Sequence, residues 1–182
     1  MTLLSSSVTT TKLNNMIVKS DKIGISDFIS ERFSERYINP IKALDKTEKH
    51  GFSIMAISCL MIESLESFKN GWEDTRNKSE KAFKSFFASE TEFKVFRNIS
   101  GQFYKNVRCG ILHQSETTNG WKIRRYGNLY QQETKTINAS DFLKRLEKTL
   151  NNYVAELKKS NWDSSNWDNL RRKLRLIINN CG

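Results

Sequence analysis

The chain contains very little proline and histidine, with one proline and two histidines among 182 residues. Proline ends helices and occupies turns, so its scarcity, together with a 27% content of charged residues, favours a helix-rich fold. The eight glycines form no phosphate-cradling loop, which argues against nucleoside-triphosphate hydrolysis. No apolar run approaches the roughly 20 residues that a membrane-spanning helix needs. We therefore expect a protein that does not associate with membranes.

Cysteine is also scarce, and its three copies follow no paired pattern. Cys59 lies in an apolar run, where it is typical of a small buried side chain, while Cys109 and Cys181 stand far from it. The first residues are rich in hydroxyl groups and lack the basic and apolar segments of a signal peptide. These features predict a cytoplasmic protein without structural disulfides.

The positive charge lies almost entirely in the second half of the chain. Up to Thr91 there are 13 Lys and Arg against 12 Asp and Glu, whereas from Glu92 onwards there are 17 against 8. A basic half favours a polyanionic partner such as RNA, although a lysine-rich solvated surface has the same composition.

Hydrophobic periodicity predicts an all-α fold, a helical bundle of about five to six helices with a small β-hairpin insert. We expect residues 1–25 to be a flexible lead-in, 26–160 to form the bundle, and 161–182 to form a basic helix packed on or beside it. The predicted helices cover residues 28–39, capped by Ser26-Asp27 and ended by Pro40, then 47–69, 79–89, 92–113, 140–159 and 167–179. The second, most apolar of these is the predicted central helix. The hairpin is predicted over 121–132, with Gly127-Asn128 as its turn.

The candidate chemistry lies at the end of the predicted helix over 92–113. Arg108 is followed five residues later by His113. A guanidinium can hold a phosphate and its developing charge, while an imidazole can move a proton, so this pair suffices to cleave a phosphodiester without metal. On an ideal helix the two side chains would be about 140° apart and about 7.5 Å apart along the axis. That separation predicts either an interruption at Gly110 or a second protomer that completes the site, with Phe103, Val107 and Ile111 at the interface.

This region resembles the HEPN domain family, in which an Arg-x4-His motif stands near the end of a late helix of a small bundle. The resemblance covers about residues 26–159, with Arg108 to His113 as its motif. It implies a homodimer that acts on RNA without metal or cofactor, as a toxin, an antiviral-defence component or an RNA-processing enzyme. A cognate antitoxin or regulator is then a possible partner. It also implies that Arg108 binds the scissile phosphate, that His113 is the general acid or base, and that Cys109 and Glu63 support them. Active relatives commonly carry Asn, His or Asp where this chain has Cys109.

Several other interpretations remain open at this stage. His113 can simply interact with the helix dipole while Arg108 makes a surface pair, and a non-catalytic RNA- or protein-binding module would retain the same basic half. Cys109 and His113 share a helix face, as zinc ligands or a thiol–imidazole pair would, although no second ligand pair stands at zinc-like spacing.

Five further residues are candidates for RNA binding, namely Lys105, Trp121, Lys122, Arg124 and Arg125. Cations can pair with phosphates, and an aromatic ring can stack on a base. Trp121 can equally pack the hairpin onto the bundle.

Overall fold

The computed structural model describes residues 2–44 and 47–181, which form a mostly helical fold with a small three-stranded sheet. This confirms the predicted fold class. The helices are α1 (Thr10–Val18), α2 (Lys22–Phe33), α3 (Asn39–Lys42), α4 (Gly51–Asn70), α5 (Ser79–Ser89), α6 (Ser100–Phe103), α7 (Cys109–Gln114), α8 (Ala139–Lys159) and α9 (Ser165–Cys181). The strands are β1 (Lys122–Arg124), β2 (Tyr130–Gln131) and β3 (Thr136–Asn138). Two π-helical turns, Ser34–Ile38 and Tyr104–Arg108, and a 3₁₀-helical stretch, Thr91–Ile99, complete the helical segments.

Helix α4 is the centre of the bundle, as predicted, and packs against α5, α8 and α9. It ends at Gly71, whose positive φ of 64° closes the last turn, in agreement with the predicted stop. With 20 residues and a mean hydropathy of 1.3, α4 is long and apolar enough to cross a membrane, so the expectation that no run approaches that length is wrong. However, 61% of its 18-residue apolar window is buried inside the bundle, as in the core helix of a soluble protein.

The predicted flexible lead-in is instead ordered and helical. Helix α1 is capped by Thr9, whose side chain accepts a hydrogen bond from the Lys12 backbone N–H. Leu13 and Ile17 are buried, and α1 packs against α9 at the other end of the chain. The apolar side chains were too few for sequence periodicity to reveal this helix, but they suffice once α9 covers them.

Helix α2 begins six residues earlier than predicted, because Asp21 rather than Ser26 provides its cap. Pro40 does not end the helical path either. The π-helical turn Ser34–Ile38 separates α2 from α3, and Pro40 occupies the first turn of α3, where its missing N–H needs no partner.

The predicted helix over 92–113 is mostly helical but irregular. Its first part is a 3₁₀ stretch with non-helical backbone angles at Phe93, and regular helix starts only at Ser100. Phe93 and Phe96 are fully buried in an aromatic cluster, with 4.7 Å between the ring centroids of Phe93 and Phe142. Packing of these rings therefore overrides the α-helical geometry that their spacing suggests.

The predicted hairpin is wrong in its strand pairing. β1 and β2 both exist, but they do not pair with each other, because β3 lies between them. β1 runs parallel to β3, with Lys122 opposite Thr136, while β2 runs antiparallel to it, with Tyr130 opposite Ile137. Ile137 is fully buried, which explains why β3 takes the central position. The true hairpin turn is therefore at 132–135, beyond the Gly127-Asn128 pair that the sequence favours.

Candidate active site

Three side chains from separate parts of the fold converge at the Arg-x4-His motif. Arg108 ends the π-helical turn, His113 lies in the last turn of α7, and Glu63 projects from the C-terminal half of α4. Arg108 Nε donates a hydrogen bond of 2.7 Å to Glu63 Oε1, and Arg108 Nη1 lies 3.3 Å from His113 Nε2. The structure thus brings together both predicted catalytic residues and the predicted supporting carboxylate.

The convergence of Arg108 and His113 within one chain corrects the ideal-helix estimate. We expected the two side chains to diverge by about 140°, yet their nitrogens are within hydrogen-bonding reach. Helical side chains tilt towards the N-terminus, so the imidazole reaches back over the preceding turn while the long guanidinium arm bends to meet it. A second protomer is therefore not needed to bring one arginine to one histidine. The predicted interface residues are also unsuitable, because Phe103, Val107 and Ile111 are buried in the core.

Glu63 is a fixed carboxylate that orients the arginine. Its Oε2 accepts hydrogen bonds from Ser79 Oγ at 2.8 Å and from Thr75 Oγ1 at 3.2 Å, while Oε1 faces Arg108. The Glu63 side chain is 8% exposed and that of Arg108 is 15% exposed. Arg108 is therefore not part of a flexible surface ion pair, because the buried carboxylate of Glu63 fixes the position of its guanidinium.

The arginine is held in its charged form. Burial lowers the pKa of Arg108, but the hydrogen bond and the negative charge of Glu63 outweigh this effect and raise the pKa above its ordinary value. The guanidinium has only N–H groups to offer, so a hydrogen bond between Arg108 Nη1 and His113 Nε2 requires that Nε2 accept. His113 is exposed, so solvent and substrate can reach the ring.

Two further residues, Tyr104 and Cys109, adjoin the arginine. The Arg108 guanidinium carbon lies 5.7 Å from the centre of the Tyr104 ring, a cation–π arrangement. Cys109, predicted as a supporting residue, follows Arg108 directly in the chain and is half-buried. Tyr104 was missed, although it precedes Arg108 by four residues and the helical i,i+4 relation places such pairs side by side.

The loop that follows α7 folds back and supports the motif. A side chain at Gly110 would meet the Glu116 carbonyl oxygen at 2.4 Å, so glycine allows this loop to approach the helix. Thr118 Oγ1 donates to the buried Asn106 side-chain oxygen at 2.9 Å, and its backbone N–H donates to the Asn106 carbonyl oxygen. Gly110 is thus a point of close packing and the helix continues through it.

Trp121 is not available to stack on an RNA base, so its assignment to RNA binding is wrong. The side chain is only 3% exposed and lies stacked on Tyr130 with 5.4 Å between the ring centroids. It also contacts the Phe103 ring edge-on. Its role is to pack the sheet onto the bundle, which is the alternative that the sequence left open.

The cations predicted to bind RNA differ in their surroundings. Lys105, Lys122 and Arg124 are exposed, and the Arg124 guanidinium lies over the exposed ring of Tyr126 at 5.6 Å. Arg125 is half-buried and donates a hydrogen bond of 2.6 Å to the Glu48 carbonyl oxygen, so it also ties the sheet to the segment before α4.

The exposed strand cations lie at a distance from the motif. β1 adjoins Gly51, at the N-terminal end of α4, where a side chain would meet Ile123 at 3.0 Å. Glu63 lies twelve residues further along α4, which corresponds to about 18 Å along the helix axis. Among the described residues, neither Lys122 nor Arg124 forms a hydrogen bond or ion pair with Arg108 or His113.

Within residues 2–44 and 47–181, no three or more His, Cys, Asp or Glu side chains are grouped as a metal site requires. Cys59 is fully buried and its burial raises the pKa of the thiol. Comparisons of the chain with protein-family models, with curated proteins and with solved structures find no match. Functional inference therefore depends on the geometry of the site.

Proposed function

We propose that this protein is a metal-independent endoribonuclease in which Arg108 and His113 form the catalytic pair. The observation that carries the proposal is the distance of 3.3 Å between Arg108 Nη1 and His113 Nε2, on a guanidinium that Glu63 anchors. The resemblance of the motif to the HEPN family points to the same chemistry. Toxin, antiviral or RNA-processing roles and a cytoplasmic location are parts of this proposal.

The proposed reaction uses the 2′-hydroxyl of the RNA as its nucleophile. When the phosphate binds, Arg108 Nη1 turns from His113 Nε2 to a phosphate oxygen, which frees the Nε2 lone pair. Nε2 then accepts the proton from the 2′-hydroxyl as its oxygen attacks the phosphorus, and the bond to the 5′-oxygen breaks. Arg108 has five N–H donors, more than Glu63 and His113 take, so it can bind the non-bridging oxygens of the phosphate and stabilise the charge that develops on them. The products are a 2′,3′-cyclic phosphate and a 5′-hydroxyl end.

We further propose that the enzyme is a homodimer that associates through the outer face of α4. Phe52 and Leu60, two turns apart on this helix, are 37% and 41% exposed, and Ala56 between them is half-buried. Exposed apolar side chains along one helix stripe favour association, and two-fold contacts are the commonest form among soluble oligomers. Since Glu63 lies one turn beyond Leu60, such a dimer would place its two active sites beside each other.

The proposal is tested by incubating the purified protein with a structured RNA in the presence of EDTA. We expect fragments that end in a 2′,3′-cyclic phosphate from the wild type and none from His113→Ala, with the same circular dichroism spectrum for both. If the wild type binds RNA in a salt-dependent manner without cleaving it, the catalytic proposal is wrong and the protein is an RNA-binding module. Recovery of cleavage only after Mg²⁺ is added would also overturn it.

A further inference from the structure

The Arg108–His113 pair leaves one step of the proposed reaction without a proton donor. His113 accepts the proton of the 2′-hydroxyl, but the departing 5′-oxygen needs a proton of its own, since an alkoxide is a poor leaving group. Arg108 is fixed in its charged form by Glu63 and does not release a proton. Protonation of the 5′-oxygen therefore requires either a second titratable side chain near the motif or a water molecule.

Tyr104 is the side chain best placed for that step. Its ring lies under the Arg108 guanidinium at 5.7 Å, and both residues belong to the π-helical turn Tyr104–Arg108. The ring packs against Phe83, with 5.7 Å between the centroids, so its direction is set by the core. The phenol is thus held beside the group that binds the phosphate, and it is partly exposed.

The hydroxyl is available as an acid because it keeps its proton. Burial and the hydrogen bond and charge of Cys109 raise the pKa of Tyr104 above its ordinary value, against the lowering effect of Arg108. An unperturbed tyrosine has a pKa of about 10, whereas an alkyl alcohol, like water, is a far weaker acid. Transfer from the phenol to a departing alkoxide is therefore downhill, and the adjacent guanidinium stabilises the tyrosinate that remains.

We infer that Tyr104 is the general acid of the reaction, an assignment that rests on the proposed ribonuclease function. As the bond between phosphorus and the 5′-oxygen breaks, the Tyr104 hydroxyl gives its proton to that oxygen. His113 has meanwhile taken the proton of the 2′-hydroxyl. After the products leave, the imidazolium loses its proton and the tyrosinate regains one from solvent, so the cycle consumes no net proton.

The test compares two versions of one RNA that differ at the leaving atom. At a cleavage site mapped with the wild-type protein, the bridging 5′-oxygen is replaced by sulfur in the second version. A thiol has a pKa of about 8.5, so a thiolate departs without protonation. The proteins compared are the wild type, Tyr104→Phe, His113→Ala and Tyr153→Phe. The last variant is the matched control, because the Tyr153 hydroxyl is buried in α8 without a hydrogen-bond partner.

We expect Tyr104→Phe to slow cleavage of the oxygen RNA by a factor of roughly 100 or more, the usual contribution of a general acid. It should cleave the sulfur RNA at close to the wild-type rate. His113→Ala should be defective on both RNAs and Tyr153→Phe on neither. A Tyr104→Phe variant that cleaves the oxygen RNA normally, or that is equally slow on both RNAs, overturns the assignment while leaving the ribonuclease proposal intact. A wild type that cleaves neither RNA overturns the ribonuclease proposal itself.

Discussion

Replacement of Glu63 by glutamine should destabilise the protein, because it removes the charge that holds Arg108 while keeping the shape of the side chain. A hydrogen bond to a charged group contributes about 1.5–3 kcal/mol, and removal of one partner from a fully buried ion pair costs about 3–5 kcal/mol. The Arg108 side chain retains 15% exposure, which screens part of this cost. We therefore expect the free energy of unfolding to fall by about 2–3 kcal/mol.

The assay is thermal or urea unfolding followed by circular dichroism. For a chain of this length each kcal/mol corresponds to about 2–4 °C, so Tm should fall by about 4–12 °C. RNA cleavage by Glu63→Gln should fall as well, since the guanidinium loses its fixed position.

Glu66→Gln is the matched control, three residues further along the same helix. Glu66 is 1% exposed, and its Oε1 has no hydrogen-bond partner. Burial raises the pKa of Glu66 above the ordinary value of 4.5, against the lowering effects of Ser85 and Lys69. The neutral form is therefore the one that the fold prefers, and the amide should be tolerated or should stabilise the protein at pH 7.

The pH dependence of this control has a definite sign. With a raised pKa in the folded state, Glu66 binds its proton more tightly when folded, so its contribution to stability is fully present below pH 4.5 and is lost as the pH rises through the folded pKa. The free energy of unfolding of Glu66→Gln should thus equal that of the wild type in acid and should exceed it increasingly as the pH rises. The reasoning about both carboxylates would be refuted if Glu63→Gln were as stable as the wild type, or if Glu66→Gln were the more damaging variant at pH 7.

Three further outcomes follow from the site and its surroundings. Arg108→Ala and His113→Ala should each remove most cleavage, and the double variant should be little worse, because the two residues act as one unit. Mixing the two single variants should restore no activity. Recovery would show that the pair is assembled from two chains. Reversal of Lys122 and Arg124 to glutamate should weaken RNA binding and reduce its dependence on salt in a filter-binding titration, without changing Tm; an unchanged affinity would show that this strand does not contact RNA. Trp121→Ala should lower the free energy of unfolding by about 3–5 kcal/mol in urea melts, and a loss of RNA affinity alone would contradict its packing role.

The fold could be predicted from the sequence where burial follows a regular period. The apolar positions of α4 and α8 recur at helical spacing, and Gly71 ends α4 where expected. Prediction failed where long-range contacts decide local structure. Helix α1 is stabilised by α9, which is distant in the sequence, and β3 becomes the central strand because Ile137 is buried between two partners. Neither contact leaves a local pattern in the sequence.

The site was predictable in its residues but not in its geometry. Arg108, His113 and Glu63 were all named from the motif and the family resemblance, and they are adjacent in space. The expected divergence of Arg108 from His113 failed because helix angles describe where side chains leave the backbone and ignore how far they reach. Tyr104 was overlooked because an aromatic residue in a helix rich in aromatic residues is typical of the buried core. Only its position under the Arg108 guanidinium identifies it as part of the site.

The most direct test of the central claim is phosphorus NMR of a short RNA incubated with the protein in EDTA. If Arg108 and His113 of one chain cleave RNA through its 2′-hydroxyl, the resonance of a 2′,3′-cyclic phosphate should appear with the wild type and be absent with His113→Ala. The same RNA carrying a 2′-methoxy group at the cleavage site should remain intact, because its nucleophile is blocked. Cleavage of the methoxy RNA, or a 5′-phosphate product, would contradict the account, since either result requires water rather than the 2′-hydroxyl as the attacking group.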